Sequence, residues 1–339
     1  MGWFRALSGF ALIGLAAAHI PSLAQDAVTV EAPVRDERGT FTFVIENDWF
    51  GDQDRNYTNG LRLGWLSKTR SLRGVDAAIA GVLARDEAPK LRRGLAIGQS
   101  VFTPNDITET QPLPDQHPYA GYLYIEGTSL LETGNTVDQV SLRVGLVGPS
   151  AGGEWIQDGF HKLFDEADPR GWDNQIPDEV GADLTVDRRY RALATFGSTD
   201  LGADIIPNIG ATIGTMNTNA RAGLTIRFGE DLRNDLGPPR VRPSLAGAGY
   251  FDPSDGFSWY IFGGAEARYV AHDIVLGGSL FRDDERTVSM RNGVLDLQAG
   301  TAVQFRSFQL GLTYVERTKQ YEEQTTPQRF GAVSFSWKY

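Results

Sequence analysis

"FTFVIENDWF", residues 41–50, begins as one kind of structure and ends as another. Phe41, Phe43 and Ile45 alternate with Thr42, Val44 and Glu46, the period-two pattern of a strand with one apolar face. The run then meets Asn47 and Asp48, an amide beside a carboxylate. A second alternating run follows at once in "DRNYTNGLRLGWL", residues 54–66, with Tyr57, Leu61, Leu63 and Trp65 on one face and Thr58, Gly60, Arg62 and Gly64 on the other. Parity carries Asp48 into the row of Thr42, Val44 and Glu46, and Thr58 into the row of Arg62. Both are expected to point away from the apolar face, and Asn47 toward it.

The same alternation recurs along the chain. "DQVSLRVGLVG" (138–148), "SWYIFGGAEARYV" (258–270), "GVLDLQAGTAVQF" (293–305), "FQLGLTYVERT" (308–318) and "RFGAVSFSWKY" (329–339) all repeat it. Segments of about ten residues with polar or small side chains on alternate positions are the signature of a transmembrane antiparallel β-barrel, apolar side to lipid. The segments number about twelve, within the range of such barrels. Val333, Phe335, Trp337 and Tyr339 bring the last one to an aromatic end, as an interfacial girdle requires.

Residues 1–24 read differently. Arg5 is their one charge, the apolar run "ALSGFALIGLAAAHI" follows, and "SLA" precedes Gln25. That is the layout of a secretory signal peptide, so the expected organisation is a signal peptide over 1–24 and a barrel domain over 25–339. The chain has no cysteine and a formal net charge of −11. No disulfide or thiolate chemistry is open to it, and an acidic surface excludes nucleic acid as a partner. An integral protein of a Gram-negative outer membrane, monomeric, is the expected state.

One segment breaks the period. "GGEWIQDGFHKLFDEA" (152–167) places Trp155, Ile156, Gly159, Phe160, Leu163 and Phe164 on one half of a helical wheel, and Glu154, Gln157, His161 and Asp165 on the other. It is read as one amphipathic helix inserted between two strands. His161 shares its face with Gln157 and Asp165, each four residues away. A neutral imidazole held by a neighbour suits a general base, and the same pattern suits a surface helix whose polar face meets water. Asp48 is open to two readings as well, a hard-cation ligand or a carboxylate paired with an interior arginine. "GPSAG" (148–152) matches G-x-S-x-G between a strand and a helix, yet the rest of the chain lacks the alternating helices of an α/β-hydrolase.

"ENDWFGDQDRNYTNGLRLGW", "GQSVFTP", "GPSAGGEWIQDGFHKLF" and "WDNQI" together resemble the lipid A 3′-O-deacylase family of outer-membrane proteins. The resemblance is densest over residues 43–66 and 145–176. It implies a twelve-stranded barrel with the active site between the inner barrel wall and a helix, and Ca²⁺-dependent removal of the 3′-acyloxyacyl chain from lipid A of lipopolysaccharide. Position by position, it assigns Asp48 to the calcium, His161 to the general base, and Asn47, Thr58 and Gln157 to the ester or its oxyanion. The family's acidic residue on the helix's C-terminal side falls at Ala167 here, with Glu166 one place off, a departure that leaves Asp165 and Glu166 unassigned. Two other functions compete: a non-enzymatic barrel, channel or structural, and a serine-type outer-membrane phospholipase acting through Ser150.

Overall fold

In the computed structural model the described residues are 37–339 apart from 52, 54, 85–88, 135, 165–166, 192–193, 198–200, 236, 238–250, 255 and 284–285. The expected signal peptide, Asp165 and Glu166 lie outside them. The strands are β1 (Thr40–Asn47), β2 (Asn56–Leu66), β3 (Lys90–Thr103), β4 (Ala120–Glu132), β5 (Thr136–Val147), β6 (Glu179–Tyr190), β7 (Ala194–Gly197), β8 (Gly202–Gly214), β9 (Asn217–Gly229), β10 (Phe257–Asp273), β11 (Gly293–Phe305), β12 (Phe308–Arg317) and β13 (Gln328–Lys338). All pairings are antiparallel between neighbours, and β1 meets β13 over its full length. β6 and the short β7 share β8 as partner, one after the other, so they act as a single interrupted stave. Closure therefore makes a twelve-stave antiparallel barrel with no open edge, the form in which strands can cross hydrocarbon.

Exposure follows the alternation. Phe43, Leu63, Ile97, Ile125, Leu142 and Leu184 stand outward on successive strands, while Thr42, Val44 and Glu46 are buried within. The inner wall is lined by buried charged side chains that pair along it, mostly between neighbouring strands. Glu126 accepts from Arg143 at 2.9 Å and Arg62 at 3.2 Å, Asp296 from Arg317 and Arg268 at 2.8 and 2.9 Å, and Arg227 bridges Asp204 and Asp235. Buried charge is costly unless paired, which explains these triads. Toward the rim opposite the termini, Val147, Ile176, Met216 and Val275 pack with Phe102 and Tyr122 as an apolar layer. That rim bears the connections 104–119, 148–178 and 274–292 against 67–89 and 230–256 at the other, and its greater loop length makes it the outer side by the usual rule for such barrels. The start of β1 and the end of β13 lie at the opposite rim, which the same rule predicts to be periplasmic. Phe41, Phe308, Phe335, Trp337 and Tyr339 make a chain of ring contacts there, and Trp65 Nε1 donates to Tyr339 Oη at 2.6 Å.

Among the described residues, two helices of more than one turn are attached to this frame. α1 (Val75–Leu83) belongs to the β2–β3 connection and α2 (Gly153–Phe164) to the β5–β6 connection. Both pack on the outside of the wall. The helix expected over 152–167 is α2; a second, α1, was not legible in the alternation.

Candidate active site

The site starts at a break in register. Between Tyr57 and Asn59 the β2–β3 ladder slips by one residue, making Thr58 a bulge. Two corrections follow. Tyr57 turns into the lumen, where its hydroxyl donates to Glu46 Oε2 at 2.8 Å, and Thr58 turns outward, 2.7 Å from Thr103 Oγ1. Strict alternation predicts the reverse for each; an extra residue reverses parity beyond it.

Outward from β1, Asn47 pairs with Asn59, Asn59 with Val101, and Val101 with Gly121. These four lie in one row across the outer face of β1–β4, where lipid would be expected, yet all are buried. What covers part of the row is α2 and its flanks. Gly153 approaches Gly121 so closely that a Cβ on Gly121 would stand 2.8 Å from the Gly153 nitrogen. Gln99 Nε2 reaches the Ala151 carbonyl at 2.5 Å, and Ile156 packs on Val101, Ile107, Tyr119 and Trp172. The turn after β1 covers the β13 side, with Phe50 over Gly331. Asn47 Oδ1 accepts the Trp49 N–H at 2.7 Å, and buried Asp48 accepts the Arg55 N–H at 2.6 Å, so the pair holds this turn together.

The expected position inside the barrel is therefore corrected: the helix lies against the outer wall. The two halves of the wheel do not divide buried from exposed. Gln157 and His161 of the polar half are 1% and 4% exposed and Ile156 of the apolar half packs on the wall, whereas Trp155 is 77% exposed and Glu154 is exposed. On an apolar wall a helix can turn polar side chains to the protein and apolar ones away.

Gln157 Oε1 accepts from Trp172 Nε1 at 2.8 Å, while its Nε2 is buried with no hydrogen-bond partner. His161 Nδ1 lies 2.6 Å from the Ala167 carbonyl. A carbonyl only accepts, so Nδ1 carries the proton and Nε2 is the basic nitrogen. Asn59, Thr103 and Trp172 are site residues that the alternation did not single out. Trp172 opens "WDNQI", a segment noted for resemblance alone.

The remaining candidates fall elsewhere. Ser150 is exposed and its hydroxyl donates to Asp178 Oδ2 at 2.6 Å, a carboxylate rather than an imidazole. His272 bonds the Thr215 carbonyl. His117 bonds the Pro118 carbonyl, stacks on Phe102 with the rings 5.3 Å apart, and burial pushes its imidazole down to about 4. Among the described residues no three His, Asp or Glu side chains gather into a metal cluster.

Over residues 10–339 the chain matches the family described as Outer membrane protein LpxR. LpxR from Salmonella typhimurium has the same fold, with 16% identity, 88% of this chain and 99% of that one covered, and a TM-score of 0.71. The β domain of the Bordetella autotransporter BrkA is a more distant barrel, with 11% identity, coverage of 90% and 99%, and a TM-score of 0.42. No curated protein matches the chain.

Proposed function

Because the chain belongs to the LpxR family of integral outer-membrane proteins, we propose that it is a hydrolase of lipid A that removes the 3′-acyloxyacyl chain. The observation that carries this reading is the unpartnered Gln157 Nε2, buried one helical turn from His161 on the outer wall. Leaving a buried donor unmade costs roughly 1–3 kcal/mol. Such a cost is reasonable where a carbonyl or oxyanion of substrate completes the bond. A wall-side site also suits a lipid, whose acyl chains reach it within the outer leaflet.

In this reading His161 Nε2 takes a proton from water as the water oxygen attacks the ester carbonyl carbon. The imidazolium then returns the proton to the departing 3′ oxygen, leaving a fatty acid and a free hydroxyl. The Ala167 carbonyl keeps the ring in the needed tautomer. Gln157 Nε2 and the Asn47 amide are donors for the oxyanion, since the oxygens of both side chains are already engaged. Thr58, tied to Thr103, borders the same row.

Calcium belongs to the proposal. The donors near the strand end are all hard oxygens: the Asp48 carboxylate, the Thr58 and Thr103 hydroxyls and main-chain carbonyls. With one carboxylate among them they suit Ca²⁺, which accepts neutral oxygens and water, better than a metal that prefers nitrogen or sulfur. Asp48 would hold the ion, whose contribution is to polarise the ester carbonyl. Mass spectrometry of lipid A from cells with and without the protein tests the reaction; an unchanged acyl count refutes it. Chelation should abolish activity, and Ca²⁺ should restore it better than Mg²⁺. Asp48→Asn should lose activity in a folded barrel.

Buried paired charges along the inner wall beneath an apolar layer disfavour the channel alternative. The serine alternative lacks an imidazole on Ser150, whose hydroxyl donates to the Asp178 carboxylate instead.

A further inference from the structure

α1 sits at the other end of the same wall. Its one charged residue, Asp76, is buried and accepts from Arg93 Nε at 2.8 Å and Ser129 Oγ at 2.7 Å. Arg93 and Ser129 are register partners on the outer face of β3 and β4. Ala80 packs with Leu91 and Leu131 of the same face, and Arg188 of β6 donates to the Leu83 carbonyl at 2.7 Å while paired with Asp138. The helix thus lies on the outer surface of the barrel at the periplasmic rim, pinned along its length.

Its other side is apolar and bare. Val75 and Val82 are each 72% exposed, with Ala78 between them on the same stripe. A helix apolar on every side is stable only when something apolar covers it. The level of the helix names the cover. Trp65, one of the girdle residues, pairs with Leu95, and Arg93 is one outward step nearer the rim. The helix is therefore at headgroup height, just beyond the aromatic girdle. Lys68, Arg70 and Arg73, all exposed, lead into it, and the Arg93 side chain is 53% exposed. Lys68 lies 3.5 Å from exposed Glu37 and Arg93 is paired with Asp76, so Arg70 and Arg73 leave a net positive cluster on a chain whose net charge is −11.

We propose that α1 is an interfacial anchor that docks in the periplasmic leaflet, its Val75–Ala78–Val82 stripe among acyl chains and its Lys68, Arg70 and Arg73 on the phosphates of anionic phospholipids. Helices of this kind bind by apolar burial plus attraction to anionic headgroups. The anchor is independent of the hydrolase reading and would stand without it.

The chain has no cysteine, so Val75→Cys or Val82→Cys places a spin label at one site of the full-length protein. The labelled protein is reconstituted into vesicles of zwitterionic phospholipid with or without phosphatidylglycerol. Collision with oxygen should exceed collision with a water-soluble nickel chelate at both sites, and Ser71→Cys, ahead of the helix, should show the reverse. Substituting Lys68→Gln, Arg70→Gln and Arg73→Gln together should lower phosphatidylglycerol retained in native mass spectra by at least about tenfold. These residues are on the surface, and the barrel's heat-modifiable migration reports folding. Free nickel access at residues 75 and 82 overturns the anchor. So does exclusion of both reagents with spin–spin coupling between copies, which would make the stripe a dimer contact. Unchanged lipid retention in the triple variant overturns the anionic headgroup.

Discussion

At His161 the hydrogen bond from Nδ1 to the Ala167 carbonyl sets the tautomer and leaves Nε2 as the acceptor. Under the hydrolase reading, His161→Ala should lower turnover by roughly 10²–10⁴-fold, measured as lipid A deacylation by folded protein. Ser150→Ala and His272→Ala should stay near wild type; loss in Ser150→Ala with retention in His161→Ala would hand the site to the serine. His117 behaves differently. Its imidazole is held neutral by burial down to about pH 4. Since the unfolded loop binds a proton from about pH 6.5 downward, this group contributes no pH dependence above that value. Between about 6.5 and 4 the open form binds more protons than the closed one, so closure weakens as pH falls, by up to roughly 3 kcal/mol. Proteolysis within 104–119 should accelerate over that window in wild type and show no such acceleration in His117→Phe, which keeps the stack on Phe102 without the titration.

At the scale of the element, α2 is set by a glycine contact. Gly121 on β4 and Gly153 at the start of the helix leave no room for a side chain. Gly121→Val should push the helix off the wall and carry Gln157 and His161 with it. Misplacement by about 1 Å can cost as much as a hundredfold in rate, so deacylation should drop steeply while the barrel still shows heat-modifiable migration. Equal loss of barrel folding would mean that the contact belongs to the frame rather than to the site. β2 shows the same principle in reverse. Its bulge at Thr58 costs a ladder position and turns a hydroxyl outward to Thr103. Removing the bulge residue would restore alternation and lose the site.

For the whole molecule, an even count of staves brings both ends of the barrel to one rim. A tag after Tyr339 should resist protease on intact cells and become accessible once the outer membrane is opened. Accessibility on intact cells would invert the topology. The lumen predicts something further: Arg92, Arg227 and Arg317, among the largest fully buried side chains of the described residues, each form an ion pair on the inner wall, so the axis is expected to be blocked to ions. Planar bilayers should show no steady conductance, and stable single-channel steps would contradict this. The two ends of the outer wall are unlike, α2 over β3 and β4 at the loop-rich rim and α1 over the same strands at the terminal rim.

Alternation alone was enough for the barrel, the aromatic terminal strand and the amphipathic helix, because period two against period 3.6 is a local property of the chain. Asn47, Asp48, Gln157 and His161 were legible as candidates for the same reason, from polar residues placed where an apolar strand ends or along one helix face. Which side of the wall the site occupies was not local. It depended on one bulge at Thr58, which a sequence with Asn56, Tyr57, Thr58 and Asn59 in a row does not mark, since all four can occupy either face. Nor could the helix's direction be read from its wheel: an amphipathic pattern tells which residues lie together, and only the solvent on each side tells which half is buried. α1 was missed for a related cause, as a nine-residue segment whose single charge is buried has no polar face to give it a period. Sequence determined the elements and the chemistry available to them; the tertiary structure decided what faces lipid, because that depends on long-range register and on which surface a helix finds to cover.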